Sequence, residues 1–125
     1  MTSAAVSCRV PIEIERLLAK QALAARTTRG KLVARYVVEK VIETEFPGIS
    51  FRDSVSGREA CLTGHRVAVW EVAIAHDELN SIEETADHFR WPPVLVKRAL
   101  AYAGAFPEQI RGHRERERDG VAIGR

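Results

Sequence analysis

The side chains that most often perform chemistry are present in this chain, but they do not form a catalytic or metal-binding pattern. No HxxxH pair occurs among the histidines, and the two cysteines lie far apart without CxxC spacing, so we expect no zinc site. The acidic residues beside His76 and His88 suggest acid–base chemistry, but solvated helix faces explain these runs better. No glycine-rich phosphate loop of the GxGxxG or Walker type is present. The sequence therefore predicts a binding protein rather than an enzyme, without a cofactor.

A short stretch near the N-terminus carries side chains suited to reading DNA. Residues 4–10, AAVSCRV, alternate as in a half-buried strand, with Ala5, Ser7 and Arg9 on one side. An arginine can contact guanine O6 and N7 together, and a serine can bond a base edge, whereas Ala5 offers only apolar contact. Because a lone strand cannot satisfy its own backbone groups, we expect it to pair with the same strand of a second chain.

Two helices are predicted directly after this strand. Residues 12–25 carry an apolar stripe at helical spacing, and Pro11 suits the start of that helix. Residues 29–45 have an apolar face too wide for one partner helix, which indicates burial on two sides, as in an intertwined dimer. Thr28 is expected to cap this second helix.

The start of the second helix is a candidate phosphate contact. Exposed N–H groups at a helix N-terminus attract anions, and Thr28 stands at that position. Arg26, Arg29 and Lys31 add positive charge beside them. The candidate DNA-binding residues are therefore Ala5, Ser7, Arg9, Thr28, Arg29 and Lys31.

The order AAVSCRV, IEIERLLAKQALAA and RTTRGKLVARYVVEKVIE resembles the ribbon-helix-helix family of dimeric repressors over residues 4–45. The resemblance implies that two strands pair antiparallel and enter the major groove, with Ala5, Ser7 and Arg9 at the base-reading positions. The family often has glycine in the turn before the cap, where this chain has Arg26. A dimerisation element without DNA binding also explains the lone strand.

The distribution of charge and a proline-glycine break divide the chain into three parts. Phe46-Pro47-Gly48 marks a boundary, so residues 1–46 form the first module, residues 47–110 the second and residues 111–125 a tail. The first module has eight basic against five acidic side chains, the second six against nine, and the tail five against three. A basic front and an acidic middle indicate different partners.

Residues 57–104 predict short β-like pieces, EACL and RVAVW, followed by helices over about 69–79, 82–89 and 93–104. Ser81 and Glu84 have the capping-box spacing. The segments GREACL, GHRVAVWEV, SIEETA and VKRALAY resemble the domain of unknown function 433, found in bacterial antitoxins. The last two helices resemble a helix-turn-helix. Their second helix offers only Lys97 and Arg98, so a protein-contact or structural role is favoured over groove reading. We therefore expect a mainly α fold with a short β hairpin.

The tail RGHRERERDGVAIGR reads as a disordered Arg-rich segment, either solvating or folding on a partner. The layout resembles antitoxins of the VapB type, in which a DNA-binding dimer precedes a segment that covers a PIN-like ribonuclease toxin. The resemblance implies an arginine inserted among the toxin's metal-binding carboxylates. The candidates are Arg114, Arg116, Arg118 and Arg125.

The sequence thus predicts a cytoplasmic homodimeric antitoxin that binds operator DNA and a PIN-like toxin, without a membrane segment or a secretory signal. A transcriptional regulator without a toxin partner is the main alternative. An enzyme, or an enzyme subunit acting on a small ligand, is the second.

Overall fold

The computed structural model describes the backbone of residues 2–55 and 57–123, and the side chains as far as Arg118. This part of the chain is mainly helical and contains one two-stranded antiparallel sheet, which confirms the mainly α class and the short hairpin. Its elements are α1 (Ile12–Ala24), α2 (Arg29–Glu45), β1 (Ile49–Ser54), β2 (Gly57–Leu62), α3 (Val69–Leu79), α4 (Ile82–Phe89), α5 (Pro93–Ala105) and α6 (Pro107–Ile123). None of the described helices is both long and apolar enough to cross a membrane.

The chain divides into two compact units, Met1–Val38 and Glu39–Arg125. The division falls inside α2, eight residues before the boundary expected at Pro47. The reason lies in the second half of α2, where Ile42 belongs to the core of the second unit and Glu39 forms an ion pair with Arg58. The break of helical structure after Glu45 therefore does not coincide with the division between units.

The turn between α1 and α2 has a defined geometry. The N–H of Thr27 donates to the carbonyl of Ala22 at 3.0 Å, and the N–H of Arg26 donates to Leu23 at 3.2 Å. This pair of bonds is the Schellman arrangement, which requires a left-handed residue at its centre. Arg26 takes that conformation, with φ of 55°, at the position where glycine is preferred.

The hairpin supplies one wall of the second unit. β1 and β2 pair antiparallel in a register that runs from Ile49 opposite Leu62 to Ser54 opposite Gly57. The EACL segment lies in β2, as predicted. The prediction that RVAVW is β-like is wrong, because α3 begins at Val69. Within the described residues of this segment, the β structure is one isolated bridge between Ala68 and Cys61 of β2.

Helices α3, α4 and α5 enclose the core of the second unit. The largest fully buried side chains of this core include Val69, Val72, Val96 and Tyr102. Desolvation in this core raises the pKa of Tyr102 to about 12. The helix ends follow local rules, since the N–H of Glu84 donates to Ser81 Oγ at 3.2 Å, as the capping-box spacing predicted.

Helix α6 corrects the expectation that residues 111–125 are disordered. The segment is helical as far as Ile123. Ile110 is 6% exposed and His113 is 3% exposed, so one face of α6 packs into the second unit. The sequence does not predict this helix, because its buried face carries few apolar residues among many arginines and glutamates. One of the buried residues, His113, is itself not apolar.

Candidate functional site

The N-terminal segment that carries the predicted base-reading residues has no partner within one chain. Residues 2–10 form neither helix nor strand and are exposed throughout. Ala5, Ser7 and Arg9 are all solvent-accessible, as base contacts would require. Val6 on the opposite side is 82% exposed. The paired ribbon therefore stays a prediction about two chains.

The first unit leaves much of its apolar surface uncovered. Nine of the 13 large apolar side chains that are exposed in the described chain lie within Met1–Val38. They are Val6, Val10, Ile12, Ile14, Leu17, Leu23, Tyr36, Val37 and Val38. The only apolar side chains of this unit that are buried, among those described, are Ala22 and Leu32. We call this set of nine the uncovered face, although on α1 it covers two sides of the helix, with Ile12 and Leu23 on the side opposite to Ile14 and Leu17; its extent is unusual for a unit of this size.

The N-terminus of α2 is capped as the sequence predicted. The N–H of Lys31 donates to Thr28 Oγ1 at 3.2 Å. This bond occupies one of the N–H groups that were expected to bind phosphate, and the others of the first turn have no intrahelical partner by the geometry of a helix end. The start of α2 therefore keeps the partial positive charge of a helix N-terminus.

The basic side chains around this helix start differ in their partners. The guanidinium of Arg29 forms an ion pair with the carboxylate of Glu15 on α1. Lys31 is exposed and forms no ion pair with any side chain that the structure describes. A second tie between the helices is the hydroxyl of Tyr36, which donates to Gln21 Oε1 at 2.7 Å. Arg29 therefore has a partner on α1, although the pair is exposed and a phosphate can displace it, and Lys31 has no ion-pair partner among the described side chains.

The predicted toxin-binding arginines lie on α6, except that Arg125 falls outside the described residues. Arg114 Nη1 lies 2.8 Å from Asp77 Oδ2 on α3. Arg118 is exposed and forms no ion pair with the described side chains. Arg116 also points outward, close enough to His113 to act on its protonation. The structure therefore brings these arginines onto one helix rather than onto a loose tail.

A groove runs between α3, α5 and α6, with a volume of about 760 Å³. Its floor consists of small and medium apolar side chains, which are Ala73, Ile74, Leu100, Ala103 and Ile110. Its rim on the α6 side carries Arg111, Arg114, Glu115 and Arg118, and Asp77 stands on the α3 side. We call this feature the α6 groove. The sequence analysis missed it, because the groove exists only when α6 is helical.

A buried polar cluster joins the hairpin to α3. Glu59 on β2 is 5% exposed, and its two oxygens accept from Arg52 Nε at 3.0 Å and from Trp70 Nε1 at 2.9 Å. Arg52 and Glu59 are direct partners in the hairpin register. The cluster satisfies a buried carboxylate that would otherwise cost several kcal/mol. Only the hairpin register reveals this pair, so the linear sequence gives no signal for it.

Histidine 113 lies on α6 close to this cluster. Burial lowers its pKa, and the positive charge of Arg116 lowers it further, while Glu59 and a hydrogen bond with the backbone of Arg58 act in the opposite direction. On α3, burial raises the pKa of Glu71, and Glu59 adds to that effect. These groups support packing of α6, and they do not open into the α6 groove.

Arg58 ties the hairpin to the end of α2. Its guanidinium contacts Glu39 with two bonds, at 2.6 Å to Oε1 and 3.0 Å to Oε2, and reaches Asp53 at 3.3 Å. The hydrogen bonds that Arg58 donates to the carboxylate of Glu39 raise the pKa of Arg58. Such forked pairs fix orientation as well as charge.

The described residues contain no group of three or more His, Cys, Asp or Glu side chains arranged to hold an ion. No family model, no curated protein and no solved structure matches the chain. The function must therefore be argued from the surfaces described above.

Proposed function

We propose that this protein is an antitoxin of a type II toxin–antitoxin pair, which binds operator DNA as a homodimer and neutralises a PIN-like ribonuclease. The observation that carries the proposal is the uncovered face of the first unit. A unit that buries only two apolar side chains is not expected to be stable alone, and a second copy is the simplest cover.

The energetics support a dimer. Burying a large aliphatic side chain stabilises by roughly 1.5–3 kcal/mol when it starts fully exposed, and about half of that when it starts half-exposed. All nine side chains of the uncovered face are at least 42% exposed, and four of them are more than half exposed. Burial of about half of these side chains on each chain, together with paired strands, contributes a free energy of the same order as the cost of about 4–15 kcal/mol for joining two chains.

The DNA-binding part of the proposal rests on the exposed N-terminal segment and on the start of α2. Ser7 and Arg9 are exposed in an unpaired segment, which supplies the donors that read a major groove. The start of α2, with Lys31 available, supplies a phosphate contact that fixes the register. Pairing of two such segments would place two copies of Arg9 on the same face.

A gel-shift titration tests this part. Duplex DNA from the region upstream of the protein's own coding sequence is the probe, and Arg9→Ala should weaken binding about tenfold or more, since a lost bidentate base contact costs roughly 1–3 kcal/mol. Lys97→Ala, in the second unit, is the matched control and should leave binding unchanged. Equal binding by wild type and Arg9→Ala would overturn the base-reading role.

The toxin-binding part rests on the arginines of α6. Exposed guanidinium groups on a helix suit a carboxylate-lined ribonuclease site, where they would pair with the metal ligands. The test is growth of cells that express a PIN-like toxin encoded beside this gene. Arg114→Ala with Arg118→Ala should reduce protection while DNA binding persists. Full protection by this double variant would remove the toxin-binding role of α6.

A further inference from the structure

The α6 groove is an open depression of the surface with room for side chains of another molecule. Its volume is about 760 Å³. Its floor is apolar, and two of its members are alanines, while Gly104 adds a position without a side chain. Small floor residues let a second backbone approach closely, since interaxial distances depend on the side chains at the contact.

The rim gives the groove its charge. Arg111, Arg114 and Arg118 follow each other at spacings of three and four, which places them along one face of α6. Arg111 reaches Glu108 only at 4.0 Å, and Arg118 forms no ion pair with the described side chains. Among the described side chains, one of the three guanidinium groups is therefore weakly engaged and another has no ion-pair partner.

The third arginine, Arg114, forms an exposed ion pair at the edge of the groove. Arg114 spans from α6 to Asp77 on α3, and both side chains of this pair are well exposed, at 38% and 60%. Because ion pairs between exposed side chains contribute little to stability, a carboxylate of another molecule can replace Asp77. The rim thus offers three arginines, interspersed with Glu115 and Asp77, over an apolar floor, and its net charge is positive.

We propose that the α6 groove is the docking site for an amphipathic helix of a partner protein. The partner helix would present small or medium apolar side chains to the floor and carboxylates, spaced one turn apart, to Arg114 and Arg118. This inference rests on the toxin-binding part of the proposed function and names the surface element that the partner must contribute. It extends that function because binding would use a groove, rather than arginines alone.

The substitution Gly104→Leu tests the contribution of the groove independently of that of its arginines. A Cβ at Gly104 meets no atom within 4 Å, so a leucine there fits the fold and also favours the helix, while its side chain occupies the groove. Ala101→Leu is the matched control, because Ala101 is exposed on the same helix but does not line the groove.

The experiment is an anisotropy titration of the full chain with two labelled synthetic helical peptides of about 16 residues, roughly 24 Å long. Both peptides carry the same Leu and Ala face; one is flanked by glutamates and the other by lysines. We expect saturable binding of the glutamate peptide only. Gly104→Leu should weaken this binding about tenfold, as should Arg118→Glu, whereas Ala101→Leu and Lys97→Glu should leave it unchanged.

Other outcomes would overturn the inference. Weakening by Arg118→Glu without weakening by Gly104→Leu would show that α6 binds acidic partners outside the groove, which leaves the proposed function intact. Absence of saturable binding, or equal binding of the lysine peptide, would also dismiss the groove as an acidic-helix site. Displacement of the peptide by a random-sequence DNA duplex would identify a nucleic-acid surface instead.

Discussion

The indole N–H of Trp70 donates a hydrogen bond of 2.9 Å to the buried carboxylate of Glu59. The bond joins α3 to β2 inside the second unit. Because the other oxygen of Glu59 is held by Arg52, removal of the carboxylate leaves a guanidinium and an indole without their partner. The relationship makes Glu59 a sensitive point of the fold.

We predict that Glu59→Ala lowers the free energy of unfolding by about 2–3 kcal/mol, because the indole N–H of Trp70 and the guanidinium of Arg52, which is 34% exposed, both lose a hydrogen bond to a charged acceptor. Glu59→Gln should cost less, about 1–2 kcal/mol, since the amide oxygen still accepts from Trp70. Urea denaturation measures both values. Glu78→Ala, at an exposed position of α3, is the control and should change stability by less than about 0.5 kcal/mol. Equal losses for the Gln and Ala variants would contradict the role given to the Trp70 bond.

The left-handed turn after α1 predicts a stabilising substitution. Arg26 holds a φ of 55°, where a side chain is unfavourable and glycine is not. Arg26→Gly should therefore raise the free energy of unfolding by about 0.5–1 kcal/mol, after the greater entropy of glycine in the unfolded chain is counted. Ala25→Gly should act in the opposite direction, because Ala25 has an ordinary φ of −85°. Thermal denaturation of the two variants compares them, and destabilisation by both would refute the strain at Arg26.

The pH dependence of stability should report on His113. Its folded pKa lies below the unfolded value of 6.5, chiefly because of burial. The unfolded chain therefore binds the proton first as the pH falls. The associated stability is complete above about pH 6.5 and is lost as the pH falls from 6.5 through the lowered folded value.

The variant His113→Gln checks this assignment, because it removes the titrating group. The free energy of unfolding between pH 7.5 and 5 should fall less steeply in His113→Gln than in wild type. The exposed His88 provides the control, and His88→Gln should follow the wild-type curve. Parallel curves for wild type and His113→Gln would assign the acid sensitivity to other groups.

The uncovered face predicts an oligomeric state. Leu17 is 51% exposed on α1, so Leu17→Glu leaves a single chain little changed but places a charge in any dimer interface. Sedimentation analysis should find a dimer for wild type and a monomer for Leu17→Glu, which should also lose DNA binding. Val94→Glu is the matched control, since Val94 is 46% exposed on α5 in the second unit. A dimer that persists in Leu17→Glu would place the interface elsewhere.

The sequence predicted the helix starts that are marked by a capping residue or by proline. Ser81 with Glu84 located the start of α4, and Pro92-Pro93 located the start of α5, because caps and prolines act within one turn. Features that depend on distant contacts were missed. The α6 helix is stabilised by burial of Ile110 and His113 against elements far away in sequence, and the Glu59 cluster requires the hairpin register.

The candidate site was predicted only in part for the same reason. The Thr28 cap follows from its own residue type and is present. The ion pair of Arg29 with Glu15 joins two helices, so no local pattern distinguished Arg29 from Lys31 as a phosphate contact. The α6 groove needs three helices from different parts of the chain.

The packing of α6 against the hairpin also affects the order in which the two units can fold during synthesis. His113 lies 55 residues after Arg58, whose backbone it contacts, so this part of the second unit cannot form until α6 has left the ribosome. The contacts between α1 and α2 are available much earlier in synthesis. Since domains generally fold in the order of synthesis, two nascent chains on one messenger can meet through their first units while their second units are still incomplete.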